Sequence, residues 1–303
     1  MSKSNNNQDF SEYSYFADVW KQFSKHKGAV VGMIIFFVII LTTIFGPFVY
    51  RVDPHAKDLR HRNEGPTALH PFGTDNLGRD MLAANLSGGR ISLSVGLIAM
   101  VISIFIGTVI GLLSGYFRWL DGPLMRLTDL FLALPILPLL LVIIMLYRDT
   151  LRKMFGPELG IFILIVVIIG VTSWMNTARI VRGDVLAAKE QEYVTAASAL
   201  GSGGQRIIWK HILPNVSSPI LVSAALGMAQ AIITESALSF LGLGFPSDIP
   251  TWGRLLFDAK DFMSLTPLRV VWPGMAISLI VLSVTYMGDG LRDALDPKIR
   301  SLK

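Results

Sequence analysis

The sequence predicts an all-α membrane protein with about six transmembrane helices, and three observations predict it. Of its 303 residues, 52% are hydrophobic and only 16% are charged, against roughly 25% charged in soluble domains. Mean hydropathy is +0.54. Apolar runs recur along the chain near the ~20 residues that cross ~30 Å of hydrocarbon. In lipid such runs must be helical, because no water is present to satisfy the backbone.

Taken in order, the chain opens with a polar segment, 1–28. Its first 18 residues carry acidic side chains and lack the pattern of a cleavable signal peptide, so the first apolar run is expected to be retained. Phe16, Trp20, Phe23 and Lys27 recur at helical spacing beside Lys21, Lys25 and His26. That pattern predicts an amphipathic helix lying in the membrane interface. Spans are expected over 29–50, 91–117, 124–147, 160–178, 216–241 and 270–288, which makes 29–303 one transmembrane domain. An even number of spans puts both termini on one side. Lysine and arginine are slightly more numerous in the loops of that side, which favours the cytoplasm. Residues 51–90 then form the first external loop. Within it, Asp75-Asn-Leu-Gly-Arg79 can be a capped turn that opens a helix at Arg79.

The second span carries Gly107, Gly111 and Gly115, with Gly96 earlier in the same helix. Small residues every four positions let helix backbones approach closely in lipid, so a tight seam is expected there, its partner left open. Pro135 and Pro138 should kink the third span. Charges within spans are costly, ~2.5–3.5 kcal/mol at a helix centre on insertion scales. Asp129 is expected to neutralise Arg126 at i, i+3. Glu235 has no local partner; it could line a pathway, serve assembly, or sit beside the outer loop. Asp289, Arg292 and Asp293 are expected to cluster at the inner end of the last span.

Several function classes are excluded. There is no cysteine, hence no disulfide, thiolate metal site or cysteine nucleophile. The net charge of +5 comes from basic residues scattered through short loops, which suits anionic lipid and not nucleic acid. None of His26, His55, His61, His70 and His211 forms a helical pair with an acidic neighbour, so no metal site is expected. No nucleophile–base constellation is visible at membrane depth, which argues against an enzyme. A proton-coupled secondary transporter could use Glu235 and Asp129, but neither two related halves nor paired broken helices are present.

The most informative stretch is the loop from Glu192 to Asn215, between the fourth and fifth spans. Residues Glu192 to Leu200 are mostly good helix formers; Gly201 can take φ > 0 and cap that helix. Ser202-Gly-Gly204 lengthens the turn, and Gln205 to His211 restarts a short helix that Pro214 stops. Ile207, Ile208 and Trp209 stand beside Arg206 and Lys210, and this mix of apolar and basic side chains, expected to be exposed, reads as an interface anchor.

The spacing of Ala196, Ala197, Gly201 and Leu213-Pro214 resembles the loop by which permeases of ATP-binding-cassette importers dock on their ATPase. Longer motifs narrow the resemblance: Phe72-Gly-Thr-Asp-Asn-Leu-Gly-Arg-Asp80, Gly89-Arg-Ile-Ser-Leu-Ser-Val-Gly96, Ala178-Arg-Ile-Val-Arg-Gly183, Lys210-His-Ile-Leu-Pro-Asn215, Glu235-Ser-Ala-Leu-Ser-Phe-Leu-Gly-Leu-Gly244 and Gly288-Asp-Gly-Leu-Arg-Asp-Ala-Leu-Asp-Pro297. Together they resemble the second permease subunit of the dipeptide/oligopeptide/nickel branch. Two positions depart from the broader pattern: Thr195 stands where glutamate is usual, and His211, familiar in the peptide branch, stands where isoleucine is usual.

The resemblance implies a type I importer permease in the bacterial inner membrane, carrying di- or oligopeptides, or alternatively nickel, glutathione or cationic peptides. It implies that residues 190–215 couple to the ATPase through Glu192, Tyr193, Ala196, Ala197, Gly201, Arg206, Trp209, Lys210, His211, Leu213 and Pro214. It implies as partners a homologous permease in a heterodimer, two ATPase subunits, an external substrate-binding protein and membrane lipid. It makes 51–90 with 245–269 a candidate surface for the binding protein, and sets Glu235 near the pathway. ATP and magnesium would bind on the ATPases. Leu86-Ser-Gly-Gly-Arg90 looks like an ATPase motif, but this chain has no Gly-x-x-x-x-Gly-Lys-Ser/Thr phosphate loop, so no cofactor is expected on it.

Overall fold

A computed structural model describes residues 15–295. The N-terminal 14 residues and 296–303 lie outside it, as do the side chains of Tyr15 and Phe16, so the first member of the amphipathic stripe is not described. Helix α1, Tyr15–Lys25, is separated from α2, Lys27–Val49, by His26, whose Nδ1 accepts the Ala29 N–H at 3.0 Å and caps α2. Phe23 of α1 is buried against Ala29 and Ala294, while Trp20 remains exposed. Of the expected stripe, Phe23 thus packs inward on the protein, while Trp20 and Lys27 stay exposed.

Five helices are long and apolar enough to cross a membrane, or up to six with one bent pair counted as a span. The first is α2 and the second is α3, Met81–Tyr116. Helix α3 begins well before the expected start, because Asp80 caps it by accepting from Ala83 N at 2.7 Å. Residues 81–90 therefore belong to a helix and not to the external loop. Asp75 does form a capped turn, accepting from Leu77 N and Arg79 N, but the helix opens at Met81 instead of Arg79.

The third expected span is α4, Arg118–Ala133, followed by α5, Ile136–Phe155, with a bend of 85° between them. Leu134 precedes Pro135 and is extended, as the ring of a following proline demands. Helices α6, Pro157–Val171, and α7, Met175–Lys189, form the next span, longer than expected and broken around Thr172–Trp174. After the loop come α10, Ser217–Phe240, the short α11, Trp252–Ala259, and α12, Leu268–Leu295. No strand occurs among the described residues.

The core lies where α3, α5, α6 and α10 meet, around Val95, Leu140, Ile144, Ile165, Ile169 and Leu238. The glycine seam finds its partner inside the chain. Built Cβ atoms on Gly107, Gly111 and Gly115 would stand 2.6–2.7 Å from Cβ of Thr177, Val181 and Val185. The three partners also repeat every four residues, so α7 runs along α3 with no room for a methyl group.

The chain reverses direction at each span. One end of the bundle therefore gathers the start of α2, the α3–α4 turn, segment 190–216 and the end of α12. The other end carries 50–80 and 241–267, which meet where Arg79 donates to Ser247 O at 3.2 Å; segment 50–80 also packs on the start of α12, where Phe72 stacks on Trp272 at 4.0 Å and Arg269 donates to Asn63 and Asn76.

Candidate functional site

Segment 190–216 is a packed hairpin and not a loose connection. Helix α8, Glu192–Ala199, ends at Leu200, and Gly201 follows with φ +81. Ser202 N donates to Ala197 O at 3.1 Å and Gly201 N to Ser198 O at 3.0 Å. This pair of bonds closes a helix C-terminus whose next residue is left-handed, a conformation that costs any residue with a Cβ. The chain then forms α9, Gly204–Ile207, and continues as a π turn over Ile208–Ile212, so the second helix is shorter and wider than the sequence suggests. Leu213 N reaching Ile208 O at 2.8 Å completes that turn ahead of Pro214.

The hairpin has two faces. Val194, Ile207, Ile208, Ile212 and Val216 are buried against Leu112 of α3 and Val181, Val185 and Ala188 of α7. Ile207 and Ile208 were expected on the exposed anchor; they instead form its underside, at the junction of α9 and the π turn, packed against α3 and α7. Ala197 is buried with them. The outer face presents Glu192, Tyr193, Ala196, Gly201, Arg206, Lys210 and Pro214, with Leu200 at 87% and Trp209 at 67% exposure. His211 and Leu213 are half-buried between the faces. Thr195 turns its hydroxyl back onto Gln191 O and Glu192 O of its own helix, at 3.0 Å each. Lys189 anchors the base, donating to Tyr116 O at 2.7 Å with its ammonium over the Tyr116 ring.

The structure separates the three charged residues that the sequence offers for a pathway or an assembly role, Glu235, Asp129 and Arg126. Asp129 pairs with Arg179 of α7, not with Arg126, which is exposed. Arg126 lies one turn away, but Arg179 reaches across from the neighbouring helix. Next to it, Arg182 holds Asp121 with two bonds, so two arginine–aspartate pairs fasten α4 to α7. This device was missed in the sequence because the partners are 50 or more positions apart.

Glu235 is fully buried and lines none of the described cavities. Ser92 of α3 donates to its Oε2 at 3.1 Å and Ser239 to its Oε1 at 2.8 Å; Ser92 in turn accepts from Trp252 N. Glu235 therefore joins α3, α10 and α11 beside the outer segment, one of the three places the sequence left open. Asp289, Arg292 and Asp293 are exposed at the hairpin end of α12 and form no ion pair among the described residues.

At the opposite end, Asp80 accepts from Tyr50 Oη and from His70 Nδ1, both at 2.7 Å. Burial first, and then the hydrogen bond and charge of Asp80, push the Tyr50 phenol up from its ordinary value near 10.

Comparison with known proteins matches this architecture. The profile of the family described as "Binding-protein-dependent transport system inner membrane component" fits residues 103–301. A second, "N-terminal TM domain of oligopeptide transport permease C", fits residues 14–66. The dipeptide transport system permease protein DppC of Alkalihalophilus pseudofirmus is 39% identical over 96% of this chain and 93% of its own length. The oligopeptide transport system permease protein OppC of Bacillus subtilis is 40% identical over 95% and 91%. The glutathione transport system permease protein GsiD of Pectobacterium atrosepticum is 33% identical over 97% and 95%. With this helical architecture and near end-to-end similarity, the chain belongs to the family of inner-membrane components of binding-protein-dependent transport systems, as a multi-pass permease of the inner membrane.

Proposed function

We propose that this chain forms half of the pathway of an ATP-binding-cassette importer for di- or oligopeptides, and that the 190–216 hairpin carries the stroke of a separate ATPase to the spans. The observation that bears most weight is the two-faced hairpin. Its underside is fixed to α3 and α7 by buried aliphatic packing, while its outer face leaves Leu200 and Trp209 uncovered, with Arg206 and Lys210 also exposed. Large exposed apolar side chains accompanied by cations suit a groove on a partner protein. The dipeptide and oligopeptide permeases among the relatives support the substrate class.

In this reading both termini are cytoplasmic, and the chain pairs with a homologous permease, two ATPases and an external binding protein. ATP and magnesium bind on the ATPases. Nucleotide binding closes the ATPase pair, the hairpin moves with it as a rigid lever, and α3 and α7 follow, because the underside cannot slip. The spans then exchange outward and inward openings, two states biased by differential affinity for nucleotide.

The experiment is co-purification. Gly201→Asp and Trp209→Ala should leave membrane insertion intact yet strip the ATPase from the purified complex. Retention of the ATPase at the level of the unsubstituted protein would overturn the docking role. Stimulation of ATP hydrolysis by candidate ligands, tested on the whole complex, would identify the cargo.

A further inference from the structure

At the hairpin end of the bundle, α7, α10 and α12 enclose a cleft of about 520 Å³, within the range of small-ligand sites. Asp184 stands on the α7 wall and Arg292 on the α12 wall, and neither is paired with any described residue. The other cation of the cleft, Arg179, is engaged by Asp129. Between them, Ser223 of α10 is buried to 7% exposure, and its hydroxyl has no hydrogen-bond partner. That is unusual: helical serines in lipid ordinarily return the bond to the preceding turn, and buried polar groups are nearly always satisfied. Val222 and Leu226 supply apolar wall, and Gly183 leaves the α7 side open, with nothing within 4 Å of a Cβ built there.

A carboxylate and a guanidinium with no ion-pair partner among the described residues, on two walls of one opening, match a ligand with an ammonium at one end and a carboxylate at the other. We propose that this cleft is a transit site for zwitterionic short peptides, with Asp184 opposite the ammonium end and Arg292 opposite the carboxylate end. The inference rests on the peptide-permease reading and adds that the membrane subunit itself senses both peptide termini.

The absence of native cysteine makes a direct test available. Gly183→Cys places a single thiol in the open part of the cleft without a steric conflict. The whole transporter, with its partner permease, ATPases and binding protein, is placed in nanodiscs, and labelling by a small thiol reagent is timed. A free dipeptide at about twice its dissociation constant should slow labelling about threefold. The same dipeptide, N-acetylated and C-amidated, should leave the rate unchanged. Asp184→Asn in the Gly183→Cys background should abolish protection, and Asp184→Glu should restore it; Arg292→Gln should abolish it as well. Equal protection by the free and blocked dipeptides, or none by the free one while peptide-stimulated ATP hydrolysis is intact, overturns the transit site alone. Absence of peptide-stimulated hydrolysis in the unsubstituted complex overturns the permease reading and this inference with it.

Discussion

Gly111→Ala is the sharpest probe of how the hairpin is held. A methyl group at Gly111 would lie 2.6 Å from Val181 Cβ and 2.8 Å from Ala178 O. Carbon atoms rest at ~3.5–4.0 Å, so α7 must retreat by roughly 1 Å. A gap of ~0.5–1 Å on a dispersion potential forfeits a quarter to a half of each contact it opens. Overpacking of this kind costs about 1–3 kcal/mol. The retreat also opens the sites facing Gly107 and Gly115, where Thr177 and Val185 stand equally close. A second alanine at Gly107 should therefore cost less than the first, and the pair should be sub-additive. Gly183→Ala is the control, since nothing lies within 4 Å of its Cβ; there, helix propensity alone predicts a gain of up to about 1 kcal/mol. Reversible unfolding of the purified chain in detergent measures all three variants. Stability of Gly111→Ala equal to that of the unsubstituted protein, or full additivity with Gly107→Ala, would refute the seam. ATP hydrolysis by the assembled complex should fall with Gly111→Ala, because α7 carries the base of the hairpin.

Gly201→Ala should loosen the hairpin by about 1–2 kcal/mol without any clash, since φ is +81 and the surrounding space is empty; faster proteolysis between 196 and 206 would register it. Asp80→Ala should cost about 1–2 kcal/mol through the lost helix cap, read by thermal unfolding in detergent, with Asp80→Asn recovering much of it. Tyr50 makes stability pH-dependent at the alkaline edge. Its raised value means that the contribution is complete below its ordinary value near 10 and is lost as pH climbs through the folded value. Tyrosinate absorbance should show one phenol ionising late, and Tyr50→Phe should remove that phase. In the loop between α2 and α3, the hydrogen bond between Asp58 and His61 lowers the carboxyl below its ordinary 3.8 and raises the imidazole above its ordinary 6.5. The contact is present between those displaced values, fading at acid pH as Asp58 protonates and above the raised imidazole value as His61 deprotonates. The amide of Arg60, which donates to Asp58, should exchange most slowly in that window, and His61→Gln should erase the upper flank.

Much of the fold was legible because lipid leaves the backbone few choices. The start of α2 and both ends of α10 fall within two residues of the apolar runs that mark them. Errors cluster where a capping group outweighs hydropathy. Asp80 extends α3 far into a stretch too polar to look like membrane, and Thr172 and Ser173 interrupt the fourth span by bonding back to Ile168 and Ile169. The turn at Gly201 was readable from one glycine, since only a residue without Cβ takes that conformation freely. The sidedness of the hairpin was not: Ile207 and Ile208 look like an anchor beside Trp209 until the packing of α9 and the π turn on α3 and α7 buries them. Long-range pairs such as Asp129–Arg179 leave no mark in a single sequence, because the nearer Arg126 is an equally good partner by spacing alone. Glu235 illustrates the same limit in part: Ser239 lies one turn away on its own helix, but Ser92 reaches it from α3, 143 positions earlier.

Helix α3 has 36 residues, about 54 Å at ~1.5 Å per residue, well beyond the thickness of the oily slab it crosses. Its first turn is pinned by Asp80 to Tyr50 and His70, and its last turns are clamped beneath the hairpin by Leu112 and Tyr116. It is a single strut with both feet tethered. A tilt of about 5° about one foot swings the other by ~5 Å, close to one helical pitch. A displacement begun at one foot can thus arrive at the other through a stiff beam, with no chain of intermediate rearrangements between them.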